Sequence, residues 1–130
     1  MPEEPRIAIP AISCRPNADD ARRWRVSLVI HNLGLAPLDL ETAWIPHGRF
    51  RGDDRLPLSG SIAPDDSHEL EFAVTAAEAP GTVVDNAFLI LRVGEQGHPW
   101  RIFVRMRIEF DSLSAVPQPL VEAITTQSLE

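Results

Sequence analysis

Three observations predict an all-β fold, an antiparallel sandwich. The first is the run from Trp100 to Phe110, in which Trp100, Ile102, Val104, Met106, Ile108 and Phe110 share one parity. Arg101, Phe103, Arg105, Arg107 and Glu109 share the other. A period of two lets a strand bury one face and wet the other. The second is the apolar stretch 86–93, which joins that run through Gly94-Glu95-Gln96-Gly97 to make a long hairpin. The third is punctuation. The chain has 12 prolines, most of them between apolar runs, where they separate strands.

Taken in order, residues 6–12 predict a first strand with Ile7 and Ile9 on one face. Pro10 has no amide to donate, so this strand is expected at an edge, or broken there. Residues 15–20 predict a polar loop. Trp24, Val26, Leu28 and Ile30 alternate with Arg25, Ser27, Val29 and His31 in a second strand. Asn32-Leu33-Gly34 ends it, because Asn and Gly tolerate positive φ. Leu38, Leu40, Thr42 and Trp44 alternate with Asp39, Glu41, Ala43 and Ile45 in a third, which Pro46-His47-Gly48 breaks. Arg49-Phe50-Arg51 adds a short fourth, and residues 56–62 a weak edge element. Ala63-Pro64-Asp65-Asp66-Ser67 has turn chemistry, with proline presetting φ. Leu70, Phe72 and Val74 point inward from the next strand, and residues 76–79 have the composition of a helical turn before the hairpin.

The total is about seven strands with regularly spaced turn signals, the outline of an immunoglobulin-like antiparallel β-sandwich. Leu28, Trp44, Leu89 and Val104 are expected in one core. Residues 1–111 are expected to form the sandwich and residues 112–130 a C-terminal tail. In that tail a proline-broken linker leads to Leu120-Val121-Glu122-Ala123-Ile124, a short helix or strand.

At 130 residues the chain can bury a core without metal or disulfide staples. Its net charge of −7 argues against nucleic acid as a partner. Cys14, the single cysteine, excludes an intrachain disulfide and a thiolate metal cluster. The N-terminus lacks the basic start and apolar run of a secretory signal, and no stretch has the length of a membrane span. A cytoplasmic protein of bacterial type is the expectation.

Asn32-Leu33-Gly34 closing one strand and Ile62-Ala63-Pro64-Asp65-Asp66-Ser67 opening another together resemble the bacterial immunoglobulin-like domains of the CARDB kind. There an N-x-G follows the second strand and an L-x-P-G-x-S turn precedes a later one, with Asp65 standing here where that pattern has glycine. The resemblance implies a fold rather than an activity.

Chemistry leaves little trace. His31, His47, His68 and His98 fall at no metal-ligand spacing, and the aspartate pairs 19–20, 53–54 and 65–66 lack a calcium-loop frame. No serine sits in a Gly-x-Ser-x-Gly elbow, and no phosphate-cradling glycine loop is present. The reading is therefore a non-catalytic domain without cofactor. Its candidate site is the outer face of the hairpin, where Phe88, Ile90, Phe103 and Ile45 make an apolar patch beside Arg101, Arg105 and Arg107. Aromatics with arginine on a face that should be wet mark a contact surface for another protein or a second copy. Alternatives are a ligand-binding module stacking sugars on Trp24 or Trp100, an accessory domain of an enzyme, or a tail that folds back over the patch.

Overall fold

Eleven strands and no helix make up the regular structure in the computed structural model, which describes residues 4–129. They are β1 (Ile7–Asn17), β2 (Asp20–Asn32), β3 (Leu38–Trp44), β4 (Pro46–His47), β5 (Phe50–Gly52), β6 (Leu56–Pro57), β7 (Ser61–Ile62), β8 (Ser67–Thr75), β9 (Val83–Glu95), β10 (His98–Phe110) and β11 (Pro117–Ser128). Two antiparallel sheets result. One is ordered β1-β2-β8-β5-β4; the other is β11-β10-β9-β3-β6, with β7 also paired to β3. Their inner faces share one core. Val26, Leu28 and Ile30 of β2 and Leu70 and Val74 of β8 join Leu89 and Leu91 of β9 and Val104, Met106 and Ile108 of β10.

The hairpin of β9 and β10 is the longest pairing in the fold, running from Glu95 opposite His98 to Val83 opposite Glu109. Gln96 and Gly97 alone connect the strands, both at positive φ (51° and 79°), as the two-residue turn of a twisted hairpin requires. One irregularity interrupts it. Met106 faces Ala87 and Ile108 faces Val84, so Asp85 and Asn86 together oppose Arg107. Asn86 takes φ 58°, which a short polar side chain tolerates. The bulge keeps both Val84 and Ala87 in the core.

Local chemistry explains the remaining departures from simple alternation. Pro10 leaves Ile9 and Pro10 outside the β1–β2 register, and β1 is indeed an edge strand. Residues 15–20 are not a loop: β1 continues to Asn17, which pairs with Asp20 across a two-residue turn. The Asn17 side chain closes that turn by accepting from the Asp19 amide at 3.0 Å. Residues 76–79 form no helical turn. They carry no regular structure, and the Ala76 carbonyl accepts a 2.9 Å bond from the buried Trp24 indole.

Two further expectations, and one of the alternatives, are corrected. Trp44 is not in the core. Leu40 pairs with Val93 but Thr42 pairs with Arg92, so Glu41 is an extra residue and the parity of β3 reverses beyond it. Ala43 and Ile45 consequently turn inward, at 3% and 1% exposure, and Trp44 turns outward. Ile45 is therefore no part of an outer patch; it sits where Pro46 ends β3 and the chain crosses to the other sheet. Finally, the tail does not fold over the hairpin. Its residues 117–128 pair along β10 from Pro117 opposite Phe110 to Ser128 opposite Trp100, continuing the sheet sideways. Val121 and Ile124 pack against the core, while Leu120 remains 47% exposed.

Asn32 joins the two sheets. It is 1% exposed, and its side-chain amide donates to the carbonyls of Ala36 (2.9 Å) and Ile62 (2.8 Å) while its oxygen accepts from the Gly34 amide (2.8 Å). Its backbone bonds to the turn at Asp65 and Asp66. The two segments carrying the sequence resemblance thus meet at one residue. Asp65 takes φ 63°, the conformation that the usual glycine adopts without strain.

Two stability outcomes follow from these placements. Leu89→Ala removes fully buried contacts and should cost about 2–5 kcal/mol, whereas Trp44→Ala should cost less than about 2 kcal/mol. Urea unfolding of both variants measures this; equal losses would place Trp44 in the core after all. Asn32→Ala strands buried carbonyls and should cost about 2–4 kcal/mol despite removing so few atoms. A loss below about 0.5 kcal/mol would show that water replaces the amide.

Candidate functional site

The outer face of the second sheet is built in rows. Because Trp44 pairs with Ile90, Ile90 with Phe103 and Phe103 with Thr125, these four side chains cross β3, β9, β10 and β11 in one line. On one side of that line lies the row Thr42, Arg92, Arg101 and Gln127. On the other lies Phe88 opposite Arg105, which is opposite Ala123. The structure thus brings together Phe88, Ile90, Phe103, Arg101 and Arg105. Arg107, beyond the β9 bulge, stands 4.0 Å from Glu109 on its own strand.

The apolar members are partly exposed and support one another. Phe88 meets Phe103 edge to face with centroids 6.4 Å apart. Arg55 lies 4.8 Å over the Trp44 ring, a cation–π contact. Thr42, Trp44, Arg55, Ile90, Arg92, Arg101 and Phe103 line a hollow of about 140 Å³, which combines aromatic and aliphatic side chains with three arginines. Trp44 and Arg55 escaped the sequence reading. Simple alternation put Trp44 inside, and Arg55 lies in a segment without periodicity. The available signal was the apolar pair Ala43 and Ile45 on the parity of Asp39 and Glu41.

Charge is distributed differently on the two outer faces. On the first sheet, Glu71 accepts from both Arg15 (3.2 Å) and Arg25, and Asp53 receives a two-pronged bond from Arg23 at 2.8 and 2.9 Å. The Arg25 hydrogen bond holds the Glu71 carboxyl below its ordinary range, and the Arg23 hydrogen bond does the same for Asp53. On the second sheet only Arg92 has a nearby acid, Glu41 at 3.4 Å, apart from the Arg107–Glu109 contact. Among the described residues, no carboxylate lies within 4.0 Å of Arg55, Arg101 or Arg105. Arg92 and Arg101 stand directly opposite each other, an arrangement of like charges that destabilises a sheet.

Other chemistry-bearing groups lie elsewhere. His31 contacts Ser67 Oγ through Nδ1 at 2.7 Å and Asp65 Oδ1 through Nε2 at 3.1 Å. The trio resembles a nucleophile relay in outline only. The Asp65 side chain is 96% exposed, so water competes for it, and the contacts serve to close the turn onto β2. Burial pushes the Cys14 thiol up to about 12, which keeps it protonated and poorly nucleophilic. Trp24 and Trp100 are each 8% exposed with their rings against the core, so neither offers a stacking platform. Among the described residues, no three His, Cys, Asp or Glu side chains converge as a metal site would need, and no helix is long and apolar enough to cross a membrane. No protein-family model, curated protein or solved structure matches the chain.

The ion pairs of the first sheet set an acid limit. A carboxyl whose folded pKa is depressed stabilises the fold above its unfolded pKa, and that contribution is lost as pH falls through the folded value. Asp53 and Glu71 are both depressed, so stability should decline as pH drops below about 4. Asp53→Asn should make the decline shallower while lowering stability at neutral pH. Urea midpoints across this range test it, and an Asp53→Asn curve parallel to wild type would remove Asp53 from the account.

Proposed function

We propose that this chain is a non-catalytic immunoglobulin-like domain that binds another protein through the outer face of the β11-β10-β9-β3 sheet. The strand orders β1-β2-β8-β5 and β10-β9-β3 support the immunoglobulin-like assignment, since they correspond to the A-B-E-D and G-F-C sheets of that arrangement. In it β11 is an added strand beyond the last.

One observation carries the functional reading. The line Trp44-Ile90-Phe103 sets three large apolar side chains across the solvent side of the sheet, bordered by Arg55 and Arg101, with no carboxylate within 4.0 Å among the described residues, and by Arg92 beside Glu41. Polar residues would satisfy that face at less cost. Tryptophan, phenylalanine and arginine are the side chains that dominate binding energy at protein interfaces, especially around a hollow that excludes water. The opposite outer face, where Glu71 holds Arg15 and Arg25 and Asp53 holds Arg23, shows no comparable group among the described residues.

A fragment screen tests this without a known partner. Small aromatic and heterocyclic fragments should shift the Trp44 indole signal and the amides of Ile90 and Phe103, leaving the buried Trp24 and Trp100 signals in place. Phe103→Glu should remain folded, with a stability change of about 1 kcal/mol or less, and should abolish these shifts. Shifts that gather elsewhere, or that persist in the variant, would displace the site from this face.

A further inference from the structure

We infer that the occupant of this face is an acidic segment of another protein, with one large apolar side chain seated between Trp44, Ile90 and Phe103. Carboxylates on either side of that residue would meet Arg101 with Arg92 in one row and Arg105 in the next. The inference rests on the docking face proposed above and adds the chemistry of its partner.

Charge is the argument. The chain carries a net charge of −7, yet four arginines border this hollow and its apolar line: Arg55, Arg92, Arg101 and Arg105. Only Glu41 stands against them, 3.4 Å from Arg92. Elsewhere most of the arginines are neutralised: Arg15 and Arg25 on Glu71, Arg22 on Asp20, Arg23 on Asp53, Arg49 on Glu78. Among the described residues five arginines have no carboxylate within 4.0 Å, and three of them, Arg55, Arg101 and Arg105, gather around this apolar line, where they are available to an external anion. Arginine also favours carboxylate, because its planar fork donates two parallel bonds. The hollow of about 140 Å³, between the apolar line and the Arg92–Arg101 row, has room for one leucine-sized or aromatic side chain.

The other occupants fit less well. A second copy joined by a twofold axis presents the same patch on both sides, so four arginines would face four arginines. A nucleic acid carries enough phosphate to be repelled at long range by a net charge of −7, and its binding relies on counterion release across a broad basic surface. The chain's own residues 117–128 already lie beside β10 as a strand.

The test is a selection. The intact chain, immobilised, is panned against a displayed library of random 12-residue peptides, and the enriched peptide is synthesised with a fluorophore for anisotropy. Enriched sequences should hold aspartate or glutamate on both sides of an aromatic or leucine. Arg101→Gln combined with Arg105→Gln should weaken binding at least tenfold, as should replacing the peptide's acids by their amides. Arg25→Gln, on the opposite face, should leave it unchanged. Peptides that are neutral yet lost on Phe103→Glu would overturn the acidic partner and leave the docking face standing. Peptides indifferent to Phe103→Glu, or no enrichment at all, would overturn both. Tighter binding of fluorescein-labelled (dT)₁₂ than of the peptide would assign the face to nucleic acid instead. A wild-type dimer in sedimentation that Phe103→Glu converts to a monomer would assign it to a second copy.

Discussion

The buried amide of Asn32 is the interaction on which the register of the two sheets depends. Asn32 ends β2 in one sheet, and its side chain donates to Ile62, a β7 residue paired to β3 in the other. A second bond, to Ala36, fixes the loop that delivers the chain to β3. Its backbone amide and carbonyl hold the turn that leads into β8. Every hydrogen-bonding atom of the side chain is used, which is the condition under which a buried polar group rigidifies a core instead of weakening it. An apolar residue of similar volume would remove the amide but leave the buried Ile62 carbonyl without this donor. Gly34 belongs to the same constraint. A Cβ there would stand 3.2 Å from Asn32 Oδ1 and 3.3 Å from Glu95 Oε1, tighter than ordinary contacts.

From that anchor the chain enters β3, and here a single residue decides what the protein displays. Had β3 kept its alternation, Trp44 would lie in the core and Ile45 on the surface, as the sequence pattern alone suggests. The extra residue at Glu41 exchanges them. A bulge is invisible to a parity count because the count assumes one residue for each partner residue, and only the neighbouring strand can show a mismatch. The same holds at Asp85 and Asn86. What the sequence displayed well was the face of uninterrupted strands: all six residues of the Trp100 parity in β10 are buried. Phe88, Ile90 and Phe103 were legible as outward residues for that reason, and Trp44 was not.

The C-terminal strand was hidden for a different cause. Pro117 and Pro119 read as breakers, since proline cannot donate to a ladder. In the structure β11 is an edge strand, so an amide absent from its open side costs nothing. Both prolines are buried, opposite Phe110 and Ile108, where they fill the end of the sandwich. The proline pair therefore contributes packing and at the same time blunts one end of an open edge that would otherwise invite strand addition. The rest of that edge is polar, with Thr125, Gln127 and Ser128 following Ile124.

A flat sheet face is a poor place to bind small ligands, and that geometry decides how the arginines and aromatics can act together. Strands offer no deep cleft, so affinity must come from side chains that stand up from the surface and are already held in position. Here the holding is done by pairing: Trp44 by the Arg55 guanidinium above it, Phe103 by the edge of Phe88, and both by Ile90 between them. Arg92 is drawn toward Glu41, while Arg101, directly across from it, is left to water. An arriving carboxylate would relieve the repulsion between those two arginines as well as form its own bonds, so the unliganded strain becomes part of the binding free energy. Because β9 and β10 have their other faces locked into the core, none of this requires the backbone to move. One long hairpin supplies the centre of the core on one face and the centre of the proposed contact surface on the other.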